Sequence, residues 1–143
     1  MRFVLDASVT MSWLLADGKP SSRSYAQVVL EAMKQPETQA EVPVTWGLEV
    51  ANVIGCAEAK GFVLEAQSKA FVEMLSGVQI VVDQATFSRA LGETLNLARR
   101  YRLSSYDASY LELAMRAGIS IATLDDELAK AALRAGVKRF RSA

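Results

Sequence analysis

Arg2-Phe3-Val4-Leu5-Asp6-Ala7-Ser8 is a short apolar run that ends directly in an acid. It reads as a β-strand that delivers the Asp6 carboxylate at its end. Downstream, Val9, Trp13 and Leu14 fall at helical spacing, and Asp17-Gly18-Lys19-Pro20 marks a turn. A second helix is expected from a cap at Ser21 or Ser22 to about Lys34, with Tyr25, Val28, Val29, Ala32 and Met33 as its apolar stripe. Glu41-Val42-Pro43-Val44 is too short and too marked by proline to predict a central strand.

Thr45 is placed to cap a helix to about Lys60, with Trp46, Val50, Val53 and Ala57 on one face and Gly61 as its stop. Another helix over 64–75 leads to Val78-Gln79-Ile80-Val81-Val82, a β-branched run that predicts a buried strand ended by Asp83. The pattern over 86–101 predicts one helix with Phe87, Ala90, Leu91, Leu95 and Ala98 on one side. Ser104 caps the next helix, which Gly118 stops after Ala117. Ile119 to Thr123 is a third strand candidate, and Asp125 to Ala135 a last helix stopped by Gly136. Val137 to Phe140 reads as a final edge strand.

Strands separated by helices imply right-handed crossovers, and so an α/β/α sandwich with a mainly parallel central sheet. With 143 residues, 51% of them apolar, and no repeat or linker, residues 1–143 are expected to form a single domain. No run approaches a membrane span and the N-terminus lacks the order of a secretory signal, so a cytoplasmic protein is expected. The lone Cys56 reads as a small core residue. Histidine is absent, which excludes His-based triads, His-containing zinc sites and imidazole acid–base catalysis. Net charge is zero, yet residues 1–98 carry 7 basic and 11 acidic side chains and residues 99–143 carry 9 and 5. The basic last third is able to meet phosphates, although surface solvation accounts for the same numbers.

Four acids stand at demanding addresses. Asp6 and Asp125 follow strand ends, where open α/β sheets gather ligands. Glu49 lies between Trp46 and Val50 on the apolar side of its helix, and Asp107 is in line with Tyr110, Leu111 and Ala114. A buried, unpaired ion needs cations, donors or a metal. Plainer roles exist for each. Ser104-x-x-Asp107 and Thr123-x-x-Asp126 fit capping boxes, the second of which assigns Asp126 to structure and leaves Asp125 free to face a cleft. Asp6 taken alone suits a turn, and Glu49 taken alone suits the edge of a stripe. As a set, oxygen ligands without sulfur or imidazole select hard cations such as Mg²⁺ or Mn²⁺, which can activate a water against a phosphodiester.

Phe3 to Ser8, Pro43 followed by Glu49-Val50-Ala51-Asn52-Val53-Ile54, Leu103 to Ala108 with Tyr110 to Ala114, and Ala122-Thr123-Leu124-Asp125 together resemble PIN-domain ribonucleases. The branch they most resemble is the VapC-like toxins of type II toxin–antitoxin systems. The resemblance implies that Asp6, Glu49, Asp107 and Asp125 form an acidic catalytic and metal pocket, supported by Ser8, Asn52 and Thr123. It also implies Mg²⁺- or Mn²⁺-dependent endonucleolytic cleavage of RNA, a homodimer, and inhibition by a small cognate antitoxin protein. Arg99, Arg100 and Arg102, with Lys138, Arg139 and Arg141, are the candidates for the RNA backbone, although the first three also suit a helix C-terminus. Trp13 and Trp46 read as core or partner-contact residues. A haloacid-dehalogenase-type site wants a second aspartate where Ser8 stands, and no Gly-rich nucleotide loop is present. The alternative from another class is a non-catalytic RNA- or protein-binding module on the same fold.

Overall fold

The computed structural model describes residues 1–15 and 17–142. The opening run forms β1 (Arg2–Leu5), followed by α1 (Ala7–Ser12), α2 (Pro20–Met33), β2 (Gln39–Val42), α3 (Trp46–Ala59), α4 (Glu65–Ser76) and β3 (Ile80–Val82). Then come α5 (Thr86–Arg89), a π-helical stretch (Ala90–Thr94), α6 (Leu95–Tyr101), α7 (Ser105–Ala117), β4 (Ser120–Ala122) and α8 (Asp126–Arg134). The four strands pair in parallel in the order β3-β2-β1-β4, with Phe3 opposite Ala40 on one side and Ser120 on the other. Among the described residues no helix is long and apolar enough to cross a membrane.

Alternation along β1 divides the core. Phe3 and Leu5 pack with Val29, Met33 and Val42 on the α2 side of the sheet, whereas Val4 packs with Leu111, Ile121 and Leu128 on the side covered by α7 and α8. Being buried on both faces, β1 reads as a continuous apolar run rather than an alternating one. Helix α7 buries seven consecutive residues, Ala108 to Ala114, because neighbours enclose it on nearly every side. Each large side chain there contributes about 1.5–3 kcal/mol by leaving water. Gly118, at φ 67°, ends α7 in the left-handed region that glycine enters without strain.

Several expectations are corrected. Glu41 and Val42 do belong to an interior strand: β2 begins at Gln39 and is complete before Pro43, so the proline interrupts no ladder bond. Conversely β3 is an edge strand, with Val81 and Val82 exposed rather than buried. Helix α2 starts at Pro20, whose fixed φ suits the first turn, and no serine caps it. Thr45 precedes α3 without a side-chain cap bond. The helix over 86–101 is interrupted by the π-helical stretch, whose wider turn rotates the following residues. Thr94 and Leu97 therefore face inward, while Phe87 and Leu91 stand 89% exposed. Cys56 is exposed, not in the core. Val137 to Phe140 contributes a single parallel bridge, Ile121 to Arg139, at the outer edge of β4.

Candidate active site

The chain builds the sheet outward from β1 through β2 to β3 and later adds β4 on the other side of β1. The topological switch thus lies between β1 and β4, where connections leave in opposite directions and open a crevice at the strands' carboxyl ends. Asp6 occupies that crevice. Its backbone N–H donates to the Ala122 carbonyl at 3.0 Å, continuing the ladder, while its side chain is 4% exposed.

Two hydroxyls hold the Asp6 carboxylate. Ser8 donates to Oδ2 at 2.6 Å and Thr123 donates to the same oxygen at 2.7 Å; neither engages Oδ1. Thr123 Oγ1 also accepts from the Asp125 backbone N–H at 3.0 Å, and Ser8 Oγ accepts from the Leu124 N–H at 3.0 Å. Ser8 and Thr123 thus staple the turn after β4 to the end of β1. Asn52 does not join them: it is exposed, three residues past Glu49 on α3.

The second capping box is not formed as expected. Asp125 itself caps α8, its Oδ1 accepting from the Leu128 N–H at 2.9 Å, and Asp126 is exposed in the first turn. Among the described residues no side chain donates to Oδ2 of Asp125. At α7, Ser104 accepts from the Asp107 N–H at 3.1 Å, so the serine half of that box is present and Ser104 serves as the cap.

Three of the acids are raised by burial and by the charge of neighbouring acids. Burial raises the Asp6 carboxyl above its ordinary range, against the pull of its Ser8 and Thr123 hydrogen bonds, and the charge of Asp125 raises it further. Asp107 is pushed up to about 6, first by burial and then by the charges of Asp125 and Asp6, with Ser104 pulling the other way. Glu49 is raised by burial, opposed by its bond from Tyr110, and raised again by Asp6 and Asp107. Among the described residues, none of the ion pairs includes any of these four carboxylates. Nor do three acids come close enough to form a ready coordination cage among those residues. The cluster is an open ring of mutually repelling oxygens.

One member of the site escaped the sequence reading. Tyr110, buried on α7 one turn past Asp107, donates its hydroxyl to Glu49 Oε1 at 3.0 Å, tying α7 to α3. Burial and the charges of Asp6 and Glu49 raise its own pKa, which keeps it a donor. The signal available in the sequence was a tyrosine on the core-facing stripe with Leu111 and Ala114, whose buried hydroxyl needs a partner. A second missed group lies farther along α7. Glu112, 3% exposed, accepts from Arg116 Nε at 2.8 Å, and Arg116 Nη2 reaches Asp83 Oδ2 at 2.6 Å beyond β3. Thr86 donates to Asp83 at 3.1 Å and accepts from the Val44 N–H at 3.1 Å, so this clamp extends to the loop that launches α3. Arg99 and Arg100 end α6 and Arg102 follows in a left-handed conformation; all three are exposed, just before the turn that leads to Asp107.

An all-parallel sheet with acids gathered at its switch point defines an α/β protein with an acidic cleft. A family model for the PIN domain matches residues 3–133, and the chain belongs to the PIN domain family, a nuclease-type fold. Among solved structures, the crystal structure of PAE2754 from Pyrobaculum aerophilum is similar at 21% identity, covering 92% of this chain and 79% of that one, with a TM-score of 0.64. At that identity the likeness concerns the fold. No curated protein matches the chain.

Proposed function

We propose that this protein is a metal-dependent endoribonuclease, and that it serves as the toxin of a toxin–antitoxin pair. The observation that carries the nuclease reading is the unneutralised ring of Asp6, Glu49, Asp107 and Asp125 in the cleft of a PIN domain. Such a ring raises the free energy of the fold unless a cation joins it. The donors suit Mg²⁺ or Mn²⁺: they are all oxygen, and Mg²⁺ commonly keeps several waters and binds through one or two carboxylates plus a substrate phosphate, so an open set is sufficient. When bound, the metal supplies Lewis acidity toward the phosphodiester and lowers the pKa of a water.

The chain's own groups then have defined work. Ser8 and Thr123 hold Asp6 by Oδ2 and leave Oδ1 for the cation. Tyr110 fixes Oε1 of Glu49, leaving Oε2. Asp125 contributes Oδ2 while its other oxygen anchors α8. The raised pKa of Asp107 suits a group that exchanges a proton with the cleft near neutral pH when no metal is bound.

For the homodimer, the exposed Phe87 and Leu91 beside the open edge of β3 offer an apolar surface to a second copy. The toxin role and the cognate antitoxin rest on the resemblance of the motifs quoted above. Purified protein is expected to cut RNA with Mg²⁺ or Mn²⁺ and to stop with EDTA, and Asp6→Ala or Asp107→Ala to abolish cutting in a folded protein. Variants that cut as well as the parent remove these acids from the mechanism. Growth arrest on induction, relieved by the product of a small neighbouring gene, tests the toxin role.

A further inference from the structure

Between α2 and the start of α8 a recess of about 230 Å³ opens beside the acids, walled by Lys19, Tyr25, Thr123, Asp125, Asp126 and Arg139 among others. Its volume is below the roughly 300–1,000 Å³ of pockets that hold whole drug-sized molecules, so it suits a smaller, polar fragment. Arg139 is fixed in one corner. Its guanidinium lies over the Tyr25 ring, 3.7 Å from the centroid, and the Tyr25 hydroxyl donates to the Phe140 carbonyl at 3.0 Å. Stacking restrains the cation without neutralising it. Among the described residues none of the ion pairs includes Arg139 or Lys19. An anion that binds Arg139 therefore does not bear the entropy of ordering it.

Position selects the anion. The recess shares Thr123 and Asp125 with the acid cleft, so a group bound between Lys19 and Arg139 lies next to one bound at the acids. Asp126, exposed at the rim, would oppose a phosphate unless it had a donor of its own to accept from. The ribose 2′-hydroxyl is that donor, and it is the group that distinguishes RNA from DNA. We propose that this recess is the subsite for the sugar–phosphate next to the bond that is cut, with Lys19 and Arg139 on the phosphate and Asp126 accepting from the 2′-hydroxyl. The assignment rests on the nuclease reading above.

Fluorescence anisotropy with a labelled single-stranded oligoribonucleotide, on an Asp107→Asn background that does not cut, reads the subsite. Arg139→Gln and Lys19→Gln are each expected to weaken binding and to reduce the slope of log affinity against log salt by about 0.7, the value for one phosphate contact on a single strand. Lys69→Gln, on the exposed side of α4, leaves both unchanged. Asp126→Ala, which removes the acceptor that asparagine would keep, keeps the salt slope and loses part of the preference for RNA over DNA of the same sequence. Unchanged slopes in Arg139→Gln and Lys19→Gln overturn the phosphate site, and an undiminished RNA preference in Asp126→Ala overturns the ribose contact. If the two cation variants lose affinity for a poly-glutamate peptide but not for RNA, the recess belongs to a protein partner and the inference is overturned. These outcomes leave the nuclease reading intact provided the parent cuts RNA; a parent that neither binds nor cuts RNA brings down both.

Discussion

Asp107→Asn should make the metal-free protein more stable while abolishing cleavage, and the gain should depend on pH. The carboxyl of Asp107 rises from 3.8 to about 6 in the fold. A shift of that size, about 2 units, corresponds to roughly 3 kcal/mol against the charged form if no solvent reached it. Asp107 is only half-buried, so solvent screening reduces the figure to about 1.5 kcal/mol. The sign follows from linkage: the folded state binds this proton more tightly than the unfolded state does. Stability therefore falls as pH rises through the interval from about 4 to about 6, and the penalty is complete above it. Asparagine keeps the shape and lacks the charge. In EDTA at pH 8 the melting temperature should rise by roughly 5 °C, from about 3–4 °C per kcal/mol for a chain of this size. Near pH 4 the gain should shrink toward zero. Thermal melts followed by circular dichroism at the two pH values decide the matter. A fall at pH 8, or an equal gain at both, would refute the account of a strained acidic cleft.

Tyr110→Phe retains the packed ring and removes the donor to Glu49. We expect a loss of about 1 kcal/mol in urea melts and a higher Mn²⁺ concentration for half-maximal cleavage; an unchanged metal dependence would reduce Tyr110 to a packing residue. Arg116→Met strips Glu112 of its main partner and leaves a nearly buried carboxylate with only Arg89 at 3.9 Å, so a loss of about 3 kcal/mol is expected in denaturant titration. Adding Gln in place of that glutamate, Glu112→Gln together with Arg116→Met, should recover part of the loss, because the charge itself is what is left unpaired. Leu111→Ala, fully buried beneath the sheet, should cost about 2–5 kcal/mol without altering the metal dependence of whatever folded fraction remains.

The corrections share a cause. Local patterns locate apolar runs and breakers, but an element's place in the sheet depends on what pairs with it. Glu41-Val42-Pro43-Val44 looks too short and too marked by proline for a central strand, yet Gln39–Val42 lies between β1 and β3, complete before the proline, with Glu41 taken up by Arg2 at 2.6 Å. Val81 and Val82 look like core residues and end at an open edge, because among the described residues no strand lies beyond β3. The inserted turn over 90–94 carries no sequence mark that distinguishes it from ordinary helix, and so Phe87 and Leu91 were placed on the wrong side.

Sequence alone determined that any chemistry must use carboxylates, hydroxyls, lysine or arginine, since there is no histidine. It also marked Asp6, Glu49, Asp107 and Asp125 as acids at strand ends or on apolar helical faces, but it did not mark Glu112, which is 3% exposed. Tertiary structure decided how each carboxylate is held: Oδ2 of Asp6 by Ser8 and Thr123, Oδ1 of Asp125 by the start of α8, and Oε1 of Glu49 by Tyr110. Those partners lie 2 to 117 residues away along the chain, and separations of that range carry no periodicity from which a hydrogen bond can be read. Thr123 reaches Asp6 only when β4 joins β1, and Tyr110 reaches Glu49 only when α7 packs beside α3.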